Sequence, residues 1–316
     1  MSAVRYLAVV SSTIAAAAIV FVAGLHALDA GNHKPPPAFS NSLCTDAKLE
    51  FLRDHPPAQP THMIIGSSIS WRNIAGEMIV ERFPEARPLN AGFCGLQLNQ
   101  TAFVSRFVLD RYPSITDLLL VLDPKDMSAC ASARSEVFDT GDVSEYLSGA
   151  DDTIFYFRYF DFPALVRNAL VVRERKVNED DMDALVFTRY GDGPVVTTET
   201  RGIFYGAAPR LDPVCKGALA TLARDVAAGG RRLLVVTMPL LADWSRRFDG
   251  EARVRKQLAE DIREALDGTS SVFWDAWAEA PLDGASYTDA FHLRWSAARS
   301  FTERLVATTG FGSGKT

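Results

Sequence analysis

The sequence lacks several features that mark common classes of protein. It has no run of Lys and Arg, and its 316 residues carry a net charge of −6, which argues against a nucleic-acid partner. No internal repeat is present, so a solenoid or a propeller is excluded. The four cysteines form no Cys-x-x-Cys pair and the histidines are scattered, so no ligand spacing for a metal ion can be recognised.

Charged residues are also absent from positions 6–28, which include "LAVVSSTIAAAAIVFVAGL". Roughly 20 such residues, at about 1.5 Å per residue, cross a hydrocarbon core of about 30 Å. Arg5 precedes the run, which favours an N-terminus in the cytoplasm. We expect residues 1–30 to be a signal anchor. A signal peptide that ends at Ala30 is the competing interpretation, and a buried helix of a soluble fold is the third.

Both targeting interpretations place the remainder of the chain in the cell envelope, outside the cytoplasm, as a single-pass membrane protein or a secreted one. An oxidising compartment permits disulfides between an even number of cysteines. Cys44, Cys94, Cys130 and Cys215 are therefore candidates for disulfide bonds. The sequence leaves their pairing open.

Beyond the anchor, the chain divides into three parts. Pro-rich pieces flank a short helical pattern over 31–60 and predict a spacer that lifts the domain off the membrane. Residues 61–310 alternate apolar runs with helical patterns. The five runs predicted as strands are "THMIIG", "RPLNAGF", "TDLLLVLDP", "RRLLVVTMP" and "SSVFWDAW". This alternation predicts an α/β domain with a parallel sheet covered by helices on both faces, and chemistry at the carboxyl ends of the strands.

A long interruption between the third and fourth strands, about residues 127–210, predicts a partly helical insertion. It contains the aromatic run "FYFRYFDF" at 155–162. These rings suit a small core of the insertion, and a substrate platform or a membrane-facing lid remains an alternative. Residues 311–316 are expected to be a flexible tail, because "GFGSGKT" is one residue short of a phosphate-binding loop and no helix can follow it.

The segment "IIGSSIS" offers a candidate nucleophile. Gly66 ends an apolar strand, and the serines that follow open a helix at the mouth of the sheet. A serine there needs a base, although serine caps at helix starts are common. Of the five histidines, only His292 follows a plausible strand end with a carboxylate nearby, Asp289. A carboxylate three residues away can fix the tautomer of the imidazole; a helix cap beside a surface histidine is the alternative.

Together these blocks resemble the SGNH, or GDSL, hydrolase superfamily, whose domain is a three-layer, flavodoxin-like α/β/α fold. The block "GSS" places the nucleophile at Ser68, "NAGFCG" places an oxyanion-binding N–H at Gly95 beside that of Ser68, and "DAFH" supplies Asp289 and His292. The third block departs from the family, because "VLDPKD" has no asparagine. Lys125 is a candidate donor in its place, and a solvated loop lysine is the alternative.

A membrane-tethered branch of this superfamily, which includes the teichoic-acid D-alanylation protein DltD, also lacks this asparagine. The sequence resembles that branch and its relatives, the alginate-acetylation proteins. The resemblance implies a serine esterase or O-acyltransferase that acts on acyl esters of a cell-surface glycan or other envelope polymer. It also implies a membrane-bound O-acyltransferase as a partner, and it requires no metal or organic cofactor. A non-catalytic envelope protein that keeps the fold to bind a polymer or an acyltransferase is the competing function.

Overall fold

In the computed structural model, which describes residues 2–203 and 205–314, five parallel strands form one sheet in the order β2-β1-β3-β4-β5. The strands are β1 (His62–Gly66), β2 (Pro88–Asn90), β3 (Asp117–Leu122), β4 (Arg232–Thr237) and β5 (Val272–Trp274). Each lies within one of the five predicted runs. The central strands β1 and β3 are buried along their whole length, because both faces of the sheet are covered.

Two groups of helices flank the sheet. In one, the helix 295–309 packs on the helices 68–73 and 76–82; in the other, the helix 213–228 packs on the helices 98–111 and 253–266. The α/β class predicted from the alternation of elements is therefore confirmed. The helices of the domain outside the insertion are α3 (Ser68–Asn73), α4 (Gly76–Arg82), α5 (Leu98–Arg111), α9 (Pro213–Ala228), α10 (Ala242–Phe248), α11 (Arg253–Leu266), α12 (Ala276–Glu279) and α13 (Trp295–Thr309).

The sequence predicts one helix over "SWRNIAGEMIVERF", but the structure contains two. α3 begins earlier, at Ser68, and ends at Asn73, and Ala75 has an extended backbone. At this break, distant side chains accept the backbone N–H groups. The N–H of Ala75 donates to Thr302 Oγ1 and the N–H of Gly76 donates to Asp192 Oδ2, each at 2.9 Å. These long-range acceptors replace the carbonyls that a continuous helix would supply.

At the N-terminus, α1 (Ala3–Ala30) is a single apolar helix. Among the described residues it is the one helix long and apolar enough to cross a membrane, and none of its most apolar stretch is buried against the domain. Such a helix suits either a membrane anchor or a signal sequence.

The segment over 31–60, predicted to be a spacer, is packed against the domain. Pro35, Pro36 and Pro37 are buried, and Tyr156 Oη donates to the carbonyl of Pro35. The helical pattern forms α2 (Leu43–Asp54), which buries half of its residues. A proline run therefore does not act as an extended linker when its rings and carbonyls find partners on the domain.

Two disulfides pair all four cysteines, Cys44 with Cys94 and Cys130 with Cys215. The first bond joins α2 to the loop after β2. The second joins the loop after β3 to α9, so it closes the base of the insertion.

In the part of the predicted insertion that the structure describes, the helices are α6 (Thr140–Leu147), α7 (Thr153–Arg158) and α8 (Phe162–Val177). Its aromatic run divides between two environments. Phe155 and Tyr156 are buried in the core, whereas three other rings of the run, Phe157, Phe160 and Phe162, are exposed.

The chain after α13 was expected to be flexible from residue 311. Phe311 is instead buried, with its ring edge-on to that of His62 at 5.4 Å between centroids. Residues 315 and 316 of the expected tail lie outside the described residues.

Candidate active site

The turn that follows β1 depends on Gly66. Its φ of +139° lies in a region that side-chain-bearing residues rarely adopt, and a Cβ there would lie 2.5 Å from the carbonyl oxygen of Val121 on β3. Only glycine can therefore end β1 this close to its neighbour. Ser67 precedes α3 and Ser68 is its first residue, so the N–H of Ser68 has no acceptor within the helix.

The structure brings the three residues singled out as nucleophile, base and orienting acid into one hydrogen-bonded chain. Ser68 Oγ lies 2.8 Å from His292 Nε2, and His292 Nδ1 lies 2.8 Å from Asp289 Oδ2. Because a carboxylate can only accept, Nδ1 carries the proton and Nε2 is free to accept from the serine hydroxyl. The arrangement is that of a nucleophile with its base and the group that orients the base.

Asp289 is held in its ionised form. Burial opposes ionisation, but attraction to His292 and hydrogen bonds from His292 and Phe291 outweigh it, so the pKa of Asp289 lies below its ordinary value. Its Oδ1 accepts the N–H groups of Phe291, at 2.8 Å, and His292, at 2.9 Å. The same carboxylate therefore fixes both the imidazole and the backbone that carries it.

Asn73, which the sequence analysis did not identify, joins the nucleophile helix to the histidine loop. Its Nδ2 donates to the carbonyl of Phe291 at 2.8 Å, and its Oδ1 accepts the N–H of Leu293 at 2.9 Å. The side chain is fully buried. The two bonds hold the residues on either side of His292, and no local sequence signal marks a contact of this range.

Both candidate oxyanion donors of the resemblance lie at the same cavity. Ser68 and Gly95 line a cavity of about 310 Å³, together with His292 and Asp289. Gly95 has a φ of +68°, the left-handed conformation that glycine adopts without strain.

Lys125 is not a freely solvated loop lysine. Its ammonium lies 4.2 Å from the ring centroid of Tyr205 and 5.4 Å from that of Phe291. Burial lowers the pKa of Lys125, against the attraction of Asp123, Asp289 and Asp126. The positive charge is thus held near the histidine loop, next to the cavity.

The place of the family's third block holds two buried carboxyls, which the sequence analysis also did not single out. Asp123 accepts the N–H of Lys125 at 2.5 Å and that of Asp126 at 3.2 Å. Burial raises the pKa of both carboxyls, and the charge of Asp123 raises that of Asp126 further, while the neighbouring Ser67 side chain lowers it. The pair therefore retains a proton well above the ordinary range of an aspartate and supports the serine that precedes Ser68.

The insertion forms one wall of the cavity. The backbone N–H of Arg201 donates to the carbonyl of Thr288 at 2.7 Å, and Gly202 pairs with Asp289 as an isolated bridge. The insertion thereby reaches the loop that carries the catalytic candidates. Its residues at the cavity are Arg175, Met182, Asp183, Leu185, Val195, Arg201 and Tyr205.

Within residues 2–203 and 205–314, no group of three or more His, Cys, Asp or Glu side chains has the geometry to hold a metal ion.

No protein-family model matches this chain. No curated protein matches it significantly. Among solved structures, the chain is similar to the crystal structure of a carbohydrate acetylesterase family member from Sinorhizobium meliloti, with 16% identity and a TM-score of 0.37 over 79% of this chain and 98% of that one. A likeness at this level does not establish a family.

Proposed function

We propose that this protein is a serine esterase or O-acyltransferase of the SGNH type, with Ser68, His292 and Asp289 as its catalytic residues. The observation that supports it most directly is the 2.8 Å separation of Ser68 Oγ from His292 Nε2, between residues 224 positions apart in the chain. Such a contact positions a hydroxyl for general-base activation. The chemistry requires no metal or organic cofactor.

In this mechanism Ser68 Oγ forms a bond to an ester carbonyl carbon while its proton passes to His292 Nε2. The tetrahedral intermediate then breaks its bond to the leaving alkoxide, which takes the proton from His292. Asp289 stabilises the imidazolium between these steps and stays ionised. Water or a sugar hydroxyl attacks the acyl-enzyme by the reverse sequence, so the same site can hydrolyse or transfer.

The N–H groups of Ser68 and Gly95 would hold the developing oxyanion. The missing asparagine of the third block removes one donor, and the loss of one such donor costs roughly 10²–10³ in rate in other hydrolases. Lys125 could compensate only by moving from the rings that it now contacts. We therefore expect a slower hydrolase than a complete set of donors would give.

The proposed substrate is an acyl ester, an acetyl ester above all, on a glycan or other envelope polymer outside the cytoplasm. The paired cysteines support that location, because disulfides persist in oxidising compartments. We assign α1 as the membrane anchor, and we place the protein with the membrane-tethered branch related to DltD and the alginate-acetylation proteins, with a membrane-bound O-acyltransferase as partner.

The first prediction tests the nucleophile. The full chain, solubilised in detergent, is treated with a fluorophosphonate probe and assayed with an aryl acetate. Ser68→Ala should abolish labelling and lower turnover by several orders of magnitude, because the attacking atom is removed. Ser67→Ala is the matched control and should still be labelled, since it removes a neighbouring hydroxyl and leaves Ser68, His292 and Asp289 in place.

A binding protein without catalysis is the competing function, and the carboxyl pair in place of the oxyanion-binding asparagine favours it. It predicts that neither the wild-type chain nor Ser67→Ala is labelled, and that neither hydrolyses the aryl acetate. Labelling of both the wild type and Ser68→Ala would show that Ser68 is not the nucleophile.

A further inference from the structure

The corner between α7 and α8 exposes large aromatic side chains. Phe157, Phe160 and Phe162, here named the α7–α8 corner, are 46%, 59% and 57% exposed. Val166 and Leu170 continue the apolar surface along one stripe of α8, with one turn between successive residues. Contiguous apolar surface of this kind marks an interaction site on a protein.

This surface is continuous with α1. The ring of Phe21 lies edge-on to those of Phe157 and Phe160, with centroids 5.2 and 5.3 Å apart. Phe21 is seven residues before Leu28, the last residue of the uncharged run, so it lies about 10 Å from that end along the helix. When α1 crosses a bilayer, Phe157 and Phe160 lie at a depth similar to that of Phe21, below the headgroups.

We propose that the α7–α8 corner inserts into the domain-side leaflet of the bilayer that α1 crosses, with phospholipid acyl chains as its occupant. Arg158, Arg167 and Arg173 are exposed on the same two helices, where cations beside an apolar face suit phospholipid headgroups. The inference rests on the anchoring proposed for α1 and not on the esterase activity.

Placing the α7–α8 corner in the bilayer has a consequence for the catalytic cavity. Arg175 lines that cavity and lies on α8, thirteen residues after Phe162. A helix of that length spans about 20 Å, so the inserted corner keeps the cavity within about 20 Å of the leaflet. The proposed site would then act on ester groups presented close to the membrane surface.

The second prediction uses tryptophan fluorescence of the full chain in phosphatidylcholine liposomes. In Phe160→Trp and Phe157→Trp, the emission above that of the wild type should shift to the blue and be quenched when brominated phosphatidylcholine replaces the ordinary lipid. Val272→Trp is the matched control, because Val272 is also 59% exposed but lies on β5, at the far edge of the sheet. Its added emission should not be quenched.

Insertion of α1 is measured separately, by testing whether the chain stays with the liposomes when they are extracted with alkaline carbonate. An inserted chain whose residues 157 and 160 are no more quenched than residue 272 would overturn the proposal, and it would mean that another protein covers the corner. Loss of α1 insertion would overturn it as well. Neither outcome alters fluorophosphonate labelling of Ser68, so failure here is distinct from failure of the proposed activity.

Discussion

Asn73 helps to align the candidate triad from outside it. It makes one hydrogen bond to each neighbour of His292, donating to Phe291 and accepting from Leu293. Asn73→Asp keeps the acceptor but replaces the donor with an oxygen that faces the carbonyl of Phe291. The histidine loop should shift, and a shift of about 1 Å can cost roughly 10²-fold in rate.

This third prediction is measured as the rate of fluorophosphonate labelling of the Asn73→Asp variant, with its unfolding temperature recorded beside it. The control is Asn99→Asp on α5, where the amide donates to Ala133 and Ser135, residues that do not line the cavity. A folded Asn73→Asp protein that is labelled at the wild-type rate would show that Asn73 does not position His292.

Residues of the site differ in how far the sequence could predict them. Ser68, Asp289 and His292 stand in short ordered blocks, and elimination among five histidines leaves one. Asn73 could not be predicted in this way, because its partners are backbone atoms 218 and 220 positions away. Asp126 is a similar case, since its role depends on burial beside Asp123 and Ser67, which no local pattern reveals.

Among the elements, the disulfide between Cys44 and Cys94 connects α2 to the cavity of the candidate active site. Both cysteines line that cavity, and Cys94 adjoins Gly95. The bond therefore restrains the loop that carries a proposed oxyanion donor. The second disulfide, Cys130–Cys215, lies at the base of the insertion and does not line the cavity.

The fourth prediction compares two double variants, Cys44→Ser with Cys94→Ser and Cys130→Ser with Cys215→Ser. The bonds close loops of 50 and 85 residues, for which chain entropy differs by only about 0.5 kcal/mol. Each should lose roughly 2–5 kcal/mol of stability. Only the first should also lower kcat for an aryl acetate, because only it loosens the loop of Gly95.

The comparison is made well below both unfolding temperatures, so that each protein is folded during the assay. Equal kcat values for the two double variants would show that the first disulfide is a stabilising bond alone. A lower kcat for the second double variant only would locate the sensitive element in the insertion.

The elements themselves were predictable where their pattern is local. The run "TDLLLVLDP" is apolar throughout and becomes β3, and the Gly pair at 229–230 follows the end of α9. The division of α3 from α4 was not predictable, because Thr302 and Asp192 supply its acceptors from distant parts of the chain. The packing of residues 31–60 escaped prediction for the same reason.

At the scale of the whole molecule, buried ionisable groups make stability depend on pH. Burial raises the pKa of Asp46 to about 8, although Ser40 donates to its carboxyl. The pKa of Asp123 is raised to about 6 and that of Asp126 is raised as well, by burial first. Burial lowers the pKa of His62, which acts in the opposite direction.

The directions of these pKa shifts determine the pH range over which stability changes. A carboxyl with a raised folded pKa binds its proton more tightly in the native state, so its contribution is complete below about pH 4 and is lost as pH rises through the folded value. Asp46 and the pair Asp123 and Asp126 all act in this way between about pH 4 and pH 7. His62 opposes them with one proton. Asp289, with its lowered pKa, loses its contribution only below this window.

The fifth prediction is therefore that the full chain in detergent unfolds at a higher temperature near pH 5 than near pH 7. Asp46→Asn is the control, because its Oδ1 can still accept the N–H and hydroxyl of Ser40, which lie at 2.9 and 2.7 Å in the protein. Removing one linked proton should flatten the dependence by up to about 1.4 kcal/mol per pH unit. A slope that Asp46→Asn leaves unchanged would contradict the raised pKa of Asp46 and would mean that a charged carboxylate holds α2 against the domain near pH 7. An unfolding temperature that falls on acidification from pH 7 would show that these buried carboxyls together do not outweigh His62.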